Sequence, residues 1–383
     1  MRVLHLLKIS TIVGTKWALR QMRELVKLGI EVHVAMPPGG PLIPACIAAG
    51  ITVHFGQFDF PTRHPEQILP RLKALRDLVA QVKPDLIHSH YVGTTLTMRL
   101  ALGRSCPIPR IFQVIGPLHL EHSIYRWGEL ALAGPQDYWI GSCQWTCKRY
   151  LQAGIPANRV FRSYYGTDLE HFGPKAPGKL REELAIGPET SLLGMVAFMY
   201  APKWFLGQRR GLKGHEDLID AAAICLAKGL DVAVVFIGGA WNGANDYEAR
   251  VRAYGKKHCG KRAFFLGTRS DVSQLYSDFT LAIHPSHSEN VGGAVESLLS
   301  AIPTIATNVG GFPDLIIPDE TGWLVPAHDP LRLSETIMEA LDYPQLATQM
   351  ALKGQKLARE LFDVRKTAQQ VASIYADILQ IRN

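Results

Sequence analysis

Residues 285–313 read P-S-H-S-E-N-V-G-G-A-V-E-S-L-L-S-A-I-P-T-I-A-T-N-V-G-G-F-P. An apolar β-type run, Leu281–His284, leads into this stretch, and a helical pattern from about Ala294 to Ser300 follows a turn of small residues. A second short strand, Thr304–Thr307, comes next. Strand, turn, helix and strand in that order make a β-α-β unit, which implies a parallel sheet with helices on its faces. The turn containing Gly292 and Gly293 directs backbone N–H groups at one point, a ready place for an anion. Glu289 and Glu296 flank it. Carboxylates beside an anion site suit a ligand that carries both phosphate, which needs donors, and sugar hydroxyls, which need acceptors.

The same alternation runs outward in both directions. In the first half it gives expected strands at Val3–Leu7, Glu31–Ala35, Leu86–His88, Ile111–Val114, Tyr138–Ile140 and Val160–Tyr164. In the second half it gives Leu192–Phe198, Val232–Gly238, Ala263–Leu266, Leu281–His284, Thr304–Thr307 and Gly322–Val325. Trp17, Leu19, Met22, Leu25 and Val26 recur at helical spacing and stop at Gly29, a natural helix end. Around residues 166–190 the pattern breaks into a run rich in Gly and Pro. We therefore expect a first domain over 1–175, a second domain over 176–363, and a terminal helix over 364–383 that packs on either. Two parallel-sheet Rossmann-like α/β domains facing a central cleft are the expected architecture, with ligands at the carboxyl edges of the strands.

Composition sets the outer limits. The chain has 383 residues, of which 47% are hydrophobic, enough for two cores. No run approaches the roughly 18 apolar residues of a membrane span. The N-terminus reads as a buried strand rather than a leader, so a cytosolic chain is expected, with attachment at the inner face of a membrane left open. Six scattered cysteines match neither a zinc knuckle nor a redox pair. Charge is uneven: residues 1–175 carry 20 Lys+Arg against 11 Asp+Glu, and the remainder 21 against 23. A basic first half points to an anionic partner such as a phosphorylated or lipid-linked acceptor or a membrane surface, and no nucleic-acid-binding motif accompanies it.

Three blocks held in order over some forty residues now carry a family resemblance: E-N-V-G-G-A-V-E at 289–296, I-P-T-I-A-T-N-V-G-G-F-P-D at 302–314, and T-G-W-L-V-P-A-H-D at 321–329. They resemble the retaining glycosyltransferases of family four, the glycogen-synthase and sucrose-synthase-like group with the GT-B fold. The resemblance implies transfer of a hexose from a nucleotide-diphosphate sugar to a hydroxyl acceptor, a glycan or glycolipid. By position, Glu296 would hold the donor ribose, and Glu289 would face the transferred sugar and its developing charge. Asn290, Val291, Gly292 and Gly293 would offer N–H groups to sugar and phosphate. The family spaces its two glutamates by seven residues and this chain by six, which leaves Ser288 as a second candidate for the first role.

Lys213 in K-G-H-E matches the lysine that the family sets against the leaving diphosphate. Its companion arginine does not align, and Lys203, Arg209 and Arg210 in the basic, aromatic loop are the candidates to replace it. Gly14 matches the glycine loop after the first strand, and Gly267 with Arg269 matches the segment that faces the base. On the acceptor side, His90 follows P-D-L-I-H-S, and His119 stands nearest to the family's histidine loop, which is altered here to Q-V-I-G. Glu289, Lys213 and His119 are thus the catalytic candidates. No D-x-D occurs, so no metal is expected and no cofactor beyond the nucleotide-sugar substrate. Two other readings remain open at this point: a nucleotide-sugar 2-epimerase of the same architecture, and a non-catalytic nucleotide-sugar-binding subunit.

Overall fold

The computed structural model describes residues 1–12 and 14–381. It divides into two compact units, the first made of Met1–Asp168 with the C-terminal segment from Leu361, and the second of Leu169–Glu360.

The first unit is built on seven parallel strands: β1 (Arg2–Leu6), β2 (Glu31–Met36), β3 (Thr52–Phe55), β4 (Leu86–Ser89), β5 (Arg110–Val114), β6 (Asp137–Gly141) and β7 (Val160–Arg162). They lie in the order β3-β2-β1-β4-β5-β6-β7. The second unit has six: β8 (Ser191–Val196), β9 (Val232–Ile237), β10 (Ala263–Phe265), β11 (Leu281–His284), β12 (Thr304–Thr307) and β13 (Trp323–Val325), in the order β10-β9-β8-β11-β12-β13. Every pairing is parallel. Both sheets wind outward from their first strand in two directions, which makes β1/β4 and β8/β11 the points where strand order reverses. In doubly wound sheets, ligands bind beyond the carboxyl ends of the strands at that reversal.

Central strands such as β9, V-A-V-V-F-I, are buried along their whole length, as strands covered on both faces must be. Edge strand β3 is half-covered and only four residues long, and the expected strands omit it.

The terminal helix Val364–Ile381 belongs to the first unit. Ala368, Val371, Ile374, Tyr375 and Ile378 share a buried cluster with Val3 and Leu7 of β1 and with Ala18, Met22 and Leu25 of the helix Lys16–Lys27. The returning chain is tied to residue 167 by Thr167 N–H to Phe362 O (2.7 Å) and Val364 N–H to Thr167 O (3.2 Å). Among the described residues, no helix is long and apolar enough to cross a membrane.

Candidate active site

In the second unit, the reversal point lies between Val196, where β8 ends, and His284, where β11 ends. A cavity of about 150 Å³ opens there, lined by Ala197, Phe198, Tyr200, Lys213, Ser286 and Glu289 among others. Both charged groups in it are delivered by loops that only glycine allows to approach. Gly214 has φ 72°, and a Cβ on it would lie 2.0 Å from the carbonyl oxygen of Pro285. Gly310 has φ 53°, and a Cβ there would lie 1.6 Å from the carbonyl oxygen of Glu289. Any larger residue at either place would push the Lys213 loop or the Glu289 loop away from its neighbour.

Lys213 Nζ is ion-paired with Glu289 Oε2, and both side chains are mostly covered. Glu289 Oε1 accepts from the N–H of Asn290 at 3.0 Å. The lysine lies 5.5 Å from the ring centroid of Tyr200, whose phenol is raised by burial. Beyond the turn, Tyr276 donates its hydroxyl to Glu296 Oε2 at 3.2 Å, and burial together with that carboxylate holds the phenol neutral. Among the described residues, the N–H groups of Val291, Gly292 and Gly293 make no hydrogen bond within the protein. A half-buried cation and a carboxylate thus line the cavity together with Gly293, and Glu296 follows on the helix Ala294–Leu299 that the turn leads into. They can meet a phosphate, hold hydroxyls, and stabilise charge that develops between the two.

The basic loop resolves into groups with different roles. Arg210 is bound by Asp217 (2.6 Å) and Asp220 (2.7 Å), so its charge is already matched. Lys203 and Arg209 are exposed and form no ion pair among the described residues. Arg269 is held by Glu183 (2.6 Å) and Asp271 (2.9 Å), beyond the edge strand β10, while the carbonyl of Gly267 accepts from Gly238 N–H at 2.8 Å.

A link that the sequence pattern did not suggest joins the loops that carry Lys213 and Glu289. Asp217, on the helix His215–Ala227, accepts from His287 Nε2 at 2.6 Å as well as from Arg210, and the His287 N–H donates to Leu212 O at 2.8 Å. His287 is two residues from Glu289, and Leu212 is next to Lys213. The nearest sequence signal was the pair of short polar runs themselves, whose partners are 70 residues apart.

In the first unit, Gly14 has φ 85° and its carbonyl accepts from Trp17 Nε1 at 2.9 Å. His90 is fully buried. Tyr165 donates its hydroxyl to Gln113 O (3.0 Å), so His90 Nδ1 must donate to Tyr165 (3.2 Å), and His90 Nε2 must accept from His5 Nδ1 (2.9 Å). Both ring nitrogens are therefore engaged, and burial holds the ring neutral. His119 sits half-buried on the single-turn helix Leu118–Glu121, 3.1 Å from the Tyr150 hydroxyl, and burial lowers its pKa.

Among the described residues, two side-chain groups have the spacing to hold a metal ion: His5 with His88 and His90, and Asp217 with His287 and His328. A cation at the first would break the hydrogen-bond chain just traced. One at the second would replace the His287–Asp217 hydrogen bond, beside an arginine already bound to the same carboxylate.

Against this geometry, comparisons with known proteins are decisive. Residues 204–357 match the family model of glycosyl transferases group 1, and residues 15–171 that of glycosyltransferase family 4. The chain belongs to the group 1/family 4 glycosyltransferases. This glycosyltransferase is similar to the D-inositol 3-phosphate glycosyltransferase of Frankia alni, 26% identical over 367 residues covering 86% of each chain. It is likewise 25% identical to that of Thermobispora bispora, covering 94% of this chain and 88% of the relative. Its fold is shared with HepE of Anabaena in complex with UDP (TM-score 0.80, 22% identity, 97% and 99% covered). Sucrose-phosphate synthase from Thermosynechococcus elongatus shares it too (TM-score 0.80, 19% identity, all of both chains covered).

Proposed function

We propose that this glycosyltransferase moves a hexose from a nucleotide-diphosphate sugar to a hydroxyl of a glycan or lipid-linked acceptor, with retention of configuration and without a metal. The observation that carries the reading is the Lys213–Glu289 pair in the cavity at the β8/β11 reversal. HepE of Anabaena was solved with UDP and with UDP-glucose, which supports a uridine-type donor. The relatives named D-inositol 3-phosphate glycosyltransferases carry a phosphorylated acceptor in their name, in keeping with the basic first half of this chain.

The donor's diphosphate lies against Lys213 and the N–H groups of residues 291–293, with Lys203 or Arg209 as the second cation. Glu296 accepts from the ribose hydroxyls. The bond from the anomeric carbon to the phosphate oxygen breaks, and its electron pair leaves on the diphosphate, where fixed positive charge lowers the barrier most. The carboxylate of Glu289 faces the positive charge left on the sugar ring. The acceptor hydroxyl attacks from the face the diphosphate leaves, and its proton passes to the departing phosphate. Each group then does one task, and the absence of D-x-D fits a step in which lysine takes the place of a divalent ion.

Incubation with a panel of nucleotide hexoses in the presence of chelator tests this. Nucleoside diphosphate is expected to accumulate in step with glycosylated acceptor. Turnover that requires added magnesium or manganese would overturn the metal-free step. Interconversion of donors without acceptor would point to epimerisation.

A further inference from the structure

The helix Ser123–Ala131 in the first unit is amphipathic the wrong way round for a soluble surface. Its inward side is anchored by a polar group: Glu129 is fully buried and accepts from Arg99 Nη1 (2.5 Å) and Trp139 Nε1 (3.0 Å). Its outward side carries Ile124, Trp127, Gly128 and Ala131, spaced i, i+3, i+4 and i+7 so that they form one stripe. Ile124 is 74% exposed and Trp127 72%, with Tyr125 beside them at 46%. Surface helices normally turn such a stripe to the core. A stripe turned outward marks an interaction site.

What surrounds the stripe selects the partner. Arg126 and Arg149 both donate to Leu120 O, at 3.0 and 3.3 Å, and Arg104 donates to Ala131 O at 3.5 Å. Three guanidinium groups are thereby fixed at the two ends of the helix. Lys148 is exposed on the helix Gln144–Gln152, which Arg149 ties to Leu120, three residues before this helix begins. The acidic residues nearby do not offset them, because Glu129 and Asp137 are buried against Arg99 and Arg110, leaving Glu121 as the exposed carboxylate of residues 118–152. Trp and Tyr beside Arg and Lys on a short helix are the composition of a segment that lies in the headgroup region of an anionic bilayer.

We propose that the helix Ser123–Ala131 docks this protein on an anionic membrane, with Ile124 and Trp127 entering the interface and Arg104, Arg126, Lys148 and Arg149 facing lipid phosphates. The helix Ile68–Val82 is another basic helix of this unit, but Leu75, Val79 and Val82 are buried in the core and Arg71 is bonded to Asp59 O and Gln67. It supplies Lys73, Arg76 and an exposed Leu69, without an aromatic residue.

The test is flotation of the full-length protein with vesicles of phosphatidylcholine alone and of phosphatidylcholine with phosphatidylglycerol, at low and high salt. Binding is expected with the anionic vesicles and is released by salt. The double variant Ile124→Ser/Trp127→Ser is expected to bind at least about tenfold more weakly, and its melting is expected to be unchanged because both side chains are exposed. Leu69→Ser, on the other helix, is expected to bind as the parent does. A parent protein that ignores lipid charge, or a double variant that floats equally well, would overturn the assignment. So would sedimentation showing that the double variant converts a dimer to a monomer, since the stripe would then belong to a second copy of the chain.

Discussion

Lys213 and Glu289 face one another across loops 76 residues apart, and each satisfies the other's charge within the cavity. Removing one leaves the other as an unmatched, half-buried ion, so their variants differ in what they report. In the proposed step Lys213 meets the leaving diphosphate, so kcat of Lys213→Ala is expected to fall by about 10² to 10³. Steady-state kinetics with saturating donor checks this, and an unchanged kcat would exclude Lys213 from the step. Glu296→Gln should leave the fold intact and weaken donor binding by roughly 1.5–3 kcal/mol, the worth of a hydrogen bond to a charged acceptor. Calorimetric titration with the nucleotide sugar reads that directly. The link Arg210–Asp217–His287 explains why Arg210 is a poor candidate for the diphosphate: two carboxylates already hold it.

At the scale of elements, the buried ionic group of the first unit makes a stability prediction. Arg99, Arg110, Glu129 and Asp137 are all fully buried, and Asp137 alone bonds Arg99 (3.0 Å), Arg110 (2.6 Å) and the N–H of Gly134 (2.6 Å). Asp137→Ala leaves the buried Arg110 without a carboxylate and Arg99 with Glu129 alone, and a loss of about 3–5 kcal/mol is expected in denaturant unfolding. A loss within experimental error would mean that water enters to replace the carboxylate. The same group shows which features the sequence can and cannot convey. Strands buried on both faces, such as β9, are visible as continuous apolar runs, and both sheets' central strands were expected at nearly their observed places. Edge strand β3 was not, because a four-residue strand with one wet face has neither a long apolar run nor a strong alternation. Charged residues such as Arg99 and Asp137 read as surface groups until the fold brings them together from 38 residues apart. The turn between β11 and the helix Ala294–Leu299 was legible because strand, glycines and glutamates are local; the Asp217–His287 bridge was not, because nothing local marks a long-range pair.

For the whole molecule, the C-terminal helix and the buried histidines set the conditions under which the fold persists. Val364–Ile381 covers the β1 face of the first unit, so a chain ending at residue 363 exposes Val3, Leu7, Met22 and Leu25. Such a truncation is expected to lose cooperative melting of that unit while the second unit's transition remains; two intact transitions would contradict it. His5, His215 and His284 are each pushed down to about 3 by burial, and burial holds His88 and His90 well below the ordinary value too. Their folded values lie below the unfolded one, so the stability they contribute is present above pH 6.5 and is lost as pH falls toward 3. Each contributes up to about 1.4 kcal/mol per pH unit within that window. Melting temperature is therefore expected to drop steeply between pH 6.5 and 4, and a flat profile there would count against neutral, buried imidazoles. The central claim, however, concerns the stereochemistry of transfer at the Lys213–Glu289 cavity. Proton NMR of the first product formed from an α-linked nucleotide hexose, taken with chelator present, reads it most directly. An α-linked product is predicted, with the signal lost in Lys213→Ala; a β-linked product would contradict same-face displacement.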